Sequence, residues 1–236
     1  MPRLLLLLSF IFFLSQNTAF AQDEDAPKGY LAIAFGPTKT SGNFSESNWD
    51  NDKSGFAKNG YNYTILDFGY KFIPNFGLSG AIKGAVLPLD VQALADGYAE
   101  EYGGQFTVKS TRWGFTGFFV GPFASIPTKY VDIDFKLMTG LMIAVSPDMT
   151  VSRTGQVATQ KSAAGSSIAF NSGVAARIHL SKKLGLLAQA DYHLSRPTFL
   201  ITYTDTNNDQ ETVNTGQTMT MFNFSFGIVY RIFSPD

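Results

Sequence analysis

Residues 130–145 read YVDIDFKLMTGLMIAV, and their alternation decides the fold. Val131, Ile133, Phe135, Leu137, Leu141, Ile143 and Val145 share one parity, and Asp132, Asp134 and Lys136 share the other. A period of two belongs to a β-strand, whose successive side chains point to opposite faces. The run is too long, and its polar face too charged, for an ordinary half-buried strand. An apolar face against lipid and a charged face against an enclosed lumen account for both features.

The same alternation recurs on either side. It predicts strands over 29–37, 60–73, 76–90, 106–124, 130–145, 167–180, 184–203 and 217–233. In the first, Leu31, Ile33 and Phe35 face small residues. In the second, Leu66, Phe68, Tyr70 and Phe72 oppose Asp67, Gly69 and Lys71. In the third, Leu78, Ile82 and Val86 oppose Lys83. In the fourth, Trp113, Phe115 and Phe119 oppose Arg112, Gly114 and Thr116. In the sixth, Ile168, Phe170, Val174 and Ile178 oppose Asn171, Arg177 and His179. In the seventh, Leu186, Ala188 and Tyr192 oppose Gln189, Asp191 and His193. The eighth sets Phe222, Phe224, Phe226, Ile228 and Tyr230 against Asn223, Ser225 and Arg231.

The connections alternate in length. Long polar stretches (38–59, 91–105, 146–166 and 204–216) are read as loops, and 74–75, 125–129 and 181–183 as short turns. The expected fold is all-β: an eight-stranded antiparallel transmembrane β-barrel with short periplasmic turns and long extracellular loops. Lipid offers backbone groups no hydrogen bonds, so the first strand must close on the eighth. A soluble barrel with an apolar cavity would share the period. Phe72, Phe76, Phe123, Tyr130 and Tyr230 fall beside the short turns or the C-terminus, which suits an interfacial aromatic girdle instead.

The first residues read as a leader. Arg3 is followed by the apolar run 4–14 and by Ala19-Phe20-Ala21, a small-residue cleavage site. This predicts a signal peptide over 1–21 with cleavage after Ala21, a lead-in over 22–28 and one barrel domain over 29–236. With 0 cysteines the chain has neither disulfides nor thiolate metal sites. A formal charge of −1 argues against a nucleic-acid surface.

The leader, the alternating strands and the aromatic final strand FNFSFGIVYRIF (222–233) resemble the small outer-membrane β-barrel proteins of Gram-negative bacteria, the class of the OmpA membrane domain, OmpX and OmpW. The resemblance implies passage through the periplasm to the outer membrane. It implies outer-membrane lipid and lipopolysaccharide as surroundings, envelope proteins as partners, and no cofactor. In that class the last strand ends on an aromatic; here Phe233 is followed by Ser234-Pro235-Asp236.

The candidate site is the lumen-facing set Asp67, Lys71, Lys83, Arg112, Asp132, Asp134, Lys136, Arg177, Asp191 and Arg231. These charges either line a solute path or pair into a plug. Eight strands enclose a space that side chains can fill, which favours the plug. His193-Leu-Ser195 resembles the His-x-Ser of lipid A deacylases, and side chains two apart on a strand share a face. That face is lumenal, out of a lipid's reach, so polar packing is the preferred reading. His179 and His193 lack a third ligand for a metal site. Asp205 to Asp209 spaces oxygen ligands but lacks the pattern of a calcium loop, and reads as solvated. The functional expectation is a non-enzymatic barrel with a structural or surface-interaction role carried by its loops. The alternatives are a narrow channel for small or apolar solutes, which needs a continuous gap in the lumen or a lateral opening near Pro197, and a lipid A-modifying hydrolase.

Overall fold

The computed structural model describes residues 27–207 and 209–232. The expected leader, residues 22–26 of the lead-in, and Phe233 with the residues after it lie outside the described residues. Among the described residues, thirteen strands and one α-helix run in the order β1 (Gly29–Ser41), β2 (Gly60–Ile73), β3 (Phe76–Leu87), α1 (Val91–Tyr102), β4 (Thr107–Ser110), β5 (Trp113–Pro127), β6 (Val131–Val145), β7 (Met149–Arg153), β8 (Gln156–Gln160), β9 (Ala164–His179), β10 (Leu184–Ser195), β11 (Thr198–Thr204), β12 (Gln210–Gly216) and β13 (Met219–Ile232). Eight of them close into an antiparallel barrel in the order β1-β13-β10-β9-β6-β5-β3-β2. The closing pair runs from Gly29 opposite Ile232 to Ser41 opposite Thr220, so neither terminal strand keeps a free edge.

The barrel is inside out relative to a soluble core. Along β6, Asp132, Asp134, Lys136, Met138, Met142 and Ala144 are buried in the lumen. Leu137 (62% exposed), Leu141 (72%) and Ile143 (60%) stand on the outer wall. The same belt continues through Phe35, Phe118, Ile168 and Phe226. Apolar side chains this exposed around a whole closed sheet have one solvent that suits them, the hydrocarbon of a membrane.

Parity is not continuous along every strand. The β2–β3 register shifts between Thr64 and Leu66, an irregularity that adds one residue. Above it Tyr61 and Ile65 face out and Asn62 and Thr64 face in; below it Tyr70 and Phe72 face out and Asp67 faces in. The face read for residues 66–72 therefore holds only below the shift.

On β5 the expected faces are exchanged. Trp113, Phe115 and Phe119 are buried in the lumen, and so is Phe123, which the girdle does not include. Thr116 and Phe118 face outward. Arg112 lies outside the strands and is exposed, so it is not a lumen charge. The reason is the filling of the lumen. Toward the long-loop end Trp113, Phe115 and Phe119 join Phe44, Met142, Phe199 and Met219 in one apolar cluster. β5 carries phenylalanine on both faces, so its periodicity does not select the inner one.

The long stretches are structured. Residues 91–102 form α1, where Ala, Leu, Gln and Glu favour the helix. Asp90 caps it by accepting from the Ala93 N–H at 3.3 Å, and Gly103, at φ 66°, ends it in a conformation that suits glycine. Residues 149–160 fold into the β7–β8 hairpin, and β11–β12 form a second. With β4 they make a separate sheet ordered β12-β11-β8-β7-β4. The expected seventh strand divides at Arg196-Pro197, because Pro197 has no N–H to give a ladder.

Candidate functional site

The lumen is filled in layers. Nearest the short turns, Arg177 on β9 meets two carboxylates of β6. Its Nε donates to Asp134 Oδ2 at 2.6 Å and its Nη2 to Asp134 Oδ1 at 2.9 Å. Asp132 Oδ2 lies 3.2 Å from the same guanidinium. Beside it Lys136 pairs with Asp67 at 2.5 Å, and the Tyr30 hydroxyl donates to the other Asp67 oxygen at 3.2 Å. The Tyr30 ring takes the Arg177 guanidinium at 4.4 Å and the Lys136 ammonium at 5.1 Å from its centroid. The fork of Arg177 matches the carboxylate of Asp134 in plane, which a lysine would not do.

One layer up, Asp191 gathers four donors. Lys83 Nζ lies 3.0 Å from its Oδ2 and Gln189 Nε2 donates to the same oxygen at 3.2 Å. Asn171 and Asn223 donate to Oδ1 at 2.6 and 2.9 Å. Thr38 donates in turn to Asn223 at 2.8 Å. Each of these buried charges has an opposite partner, and Asp67 and Asp191 also accept from neutral donors, the arrangement that makes burial tolerable. Lys71 and Arg231 are half-buried at the short-turn end. A gap of about 10 Å³ remains among Lys83, Lys136, Asn171, Gln189 and Asp191, room for at most one water.

Above this layer the lumen turns apolar around His193 and Ser195. His193 Nε2 lies 3.1 Å from Ser195 Oγ, a distance that suits a base and its nucleophile. The imidazole stacks on Phe115 at 4.8 Å and meets the edge of Phe119 at 5.8 Å. Both residues are buried, at 1% and 4% exposure. The oxygens of Asp191, two residues earlier, are engaged by Lys83 and the amides, so Asp191 does not orient the ring. His179 sits at the other end: Gly185 pairs with it, eight positions before His193 along β10. That is roughly 26 Å at a strand's rise, so the two histidines cannot share a metal.

The neutral donors Tyr30, Asn171, Gln189 and Asn223 are the residues that charge-based reading missed. They occupy the same lumenal parity as the charges, and that parity was the signal available for them.

Over the lumen sits the cap. A cleft of about 110 Å³ lies between α1 and the two hairpins, lined by Tyr98, Met149, Val151, Gln160, Tyr203 and Asp205. Trp49 packs on Tyr98 with ring centroids 4.6 Å apart, and Phe106 lies 5.6 Å from Tyr98. Burial pushes the Tyr98 and Tyr203 hydroxyls above their usual range. For Asp90, burial pushes upward, but Lys58 at 3.0 Å and the Ala93 N–H outweigh it and hold the carboxyl below its usual range. Asp205 Oδ1 accepts from the N–H groups of Asn207 and Asp209, both at 2.9 Å, so this carboxylate shapes its own turn. Among the described residues no group of His, Asp and Glu is placed to hold a metal ion.

No protein-family model matches the sequence, and no curated protein matches it. Solved structures do. The outer-membrane protease OmpT of Escherichia coli aligns with a TM-score of 0.53 at 9% identity, over 88% of this chain and 98% of that one. A major outer membrane protein of Thermus thermophilus aligns with a TM-score of 0.51 at 11% identity, over 88% and 100%. Ail, the attachment invasion locus protein of Yersinia pestis, aligns at 14% identity and a TM-score of 0.45, over 87% and 99%. At these identities the likeness is one of fold. The chain is a closed eight-stranded antiparallel β-barrel of the outer-membrane kind.

Proposed function

We propose that the protein resides in the outer membrane as a plugged barrel and acts through its cap, in a structural or surface-interaction role. The observation that carries this reading is a pairing: the lumen is filled by ion pairs and aromatics, while the long connections form an ordered helix and sheet above it. A rigid wall holding a structured cap suits recognition at the cell surface. The partners this reading implies are lipopolysaccharide and other envelope proteins. The filled lumen weighs against the narrow channel.

The test replaces residues 149–160 and 205–209 with short turns. Loss of adhesion or of envelope integrity, with the barrel still folded, is the expected result. Unchanged adhesion and detergent resistance would refute the role of the cap.

A second reading, hydrolysis of lipid A, rests on the 3.1 Å contact between His193 and Ser195. Their burial opposes it. Unaltered lipid A mass spectra in the His193→Ala variant would remove it.

A further inference from the structure

The cations of the short-turn end follow one arc of the barrel. Lys28 precedes β1, and the Lys71 N–H at the end of β2 donates to its carbonyl at 2.7 Å. Arg231 is the penultimate residue of β13, its N–H donating to the Lys183 carbonyl at 2.8 Å. Lys182 and Lys183 occupy the β9–β10 turn. Across it the His179 N–H donates to the Tyr130 carbonyl at 2.8 Å, which brings in Lys129 of the β5–β6 turn. In barrel order the arc runs β2-β1-β13-β10-β9-β6 without a break. Lys28, Lys129, Lys182 and Lys183 are exposed. The carboxylates toward this end, among the described residues, are Asp67, Asp132 and Asp134, and all are buried against Lys136 or Arg177.

The depth of the arc is marked by its neighbours. Phe72 (69% exposed), Tyr130 (66%), Phe76 (50%) and Tyr230 (44%) stand on the outer wall beside it. Lys129 Nζ lies 5.2 Å from the Tyr130 ring centroid. Outward aromatics of this kind settle at the membrane–water boundary. Lysines flanking them stand at the level of lipid phosphates.

We propose that this arc binds anionic glycerophospholipid headgroups of the leaflet that faces the short turns. The charge is complementary, the carboxylates of this end among the described residues are buried, and the girdle sets the cations at headgroup depth. A soluble acidic partner would gain nothing from that depth. The proposal rests on the reading of the chain as a membrane-spanning barrel, and the test separates the two.

The protein is refolded into vesicles of phosphatidylcholine with about one third phosphatidylglycerol, a surface that attracts basic segments. Association of spin-labelled phosphatidylglycerol is compared with that of spin-labelled phosphatidylcholine. The native chain is expected to prefer the anionic lipid by about threefold or more at low salt, a preference that fades as salt rises. The K129Q/K182Q/K183Q variant is expected to lose it, and a K53Q/K109Q/K161Q variant of the cap to keep it. Should the triple variant fail to fold, Lys182→Gln and Lys183→Gln singly are each expected to weaken the preference. An equal preference in native and short-turn variants, or none in the native chain, would overturn the proposal. So would binding of soluble polyglutamate without any lipid preference, which would point to a protein partner. Unboiled gel mobility read in parallel reports the barrel separately: if the native chain shows no fast-running form, the barrel reading fails rather than the headgroup site.

Discussion

Among single residues, Arg177 concentrates the most interactions in the lumen. It joins Asp134 by two bonds, stands 3.2 Å from Asp132 and lies over Tyr30. Arg177→Met removes the cation and strands two buried carboxylates, so unfolding should cost about 3–5 kcal/mol less. A urea titration of the refolded protein measures this, and an unshifted midpoint would show that the carboxylates are solvated. Neutralising Asp191 should be milder, because Lys83 retains the Asn171 carbonyl at 3.4 Å. The lumen charges were legible one residue at a time wherever strand parity was right. Asp67, Lys83, Asp132, Asp134, Lys136, Arg177 and Asp191 are all buried inward. Arg112 was misplaced because Phe118 and Phe119 are adjacent, and two neighbouring aromatics leave the inner face undecided.

Among the elements, α1 depends on its cap. Asp90 accepts from Ala93 and pairs with Lys58, and its carboxyl is held below the ordinary value of 3.8. A depressed carboxyl contributes stability that is fully present above its unfolded value and is lost as pH falls through the folded one. Hydrogen exchange of residues 91–102 should therefore speed up below about pH 4 and not above it. Asp90→Ala should cost the helix about 1 kcal/mol at neutral pH and remove this pH dependence. In the wall, an added Cβ on Gly140 would meet the Phe118 carbonyl oxygen of β5 at 1.9 Å. Gly140→Ala should therefore open the β5–β6 pairing locally, seen as faster exchange around Phe118 and Gly140. The helix and the outer hairpins were not legible in advance. Residues 91–105, 146–166 and 204–216 carry only scattered apolar side chains, such as Leu94, Val151 and Val213, and their order comes from packing on one another and on the lumen's apolar end.

For the barrel as a whole, alternation along residues 130–145 was enough to give the wall, since lipid outside and a charged lumen inside leave few other closures. The even strand number and the alternation of short turns with long connections followed from the same pattern. What the pattern could not give is how full the lumen is, because that depends on side chains meeting across the barrel. Lys83 and Asp191, 108 residues apart, show the point. The proposed plug predicts a lumen closed to solutes. Single-channel conductance of the refolded native chain in a planar bilayer reads that closure without an intermediary. A silent trace is expected from a sample whose fast unboiled mobility shows it folded. Discrete, reproducible conductance steps from the same sample would contradict a closed lumen and make Lys83, Asp191 and Arg177 the lining of a path.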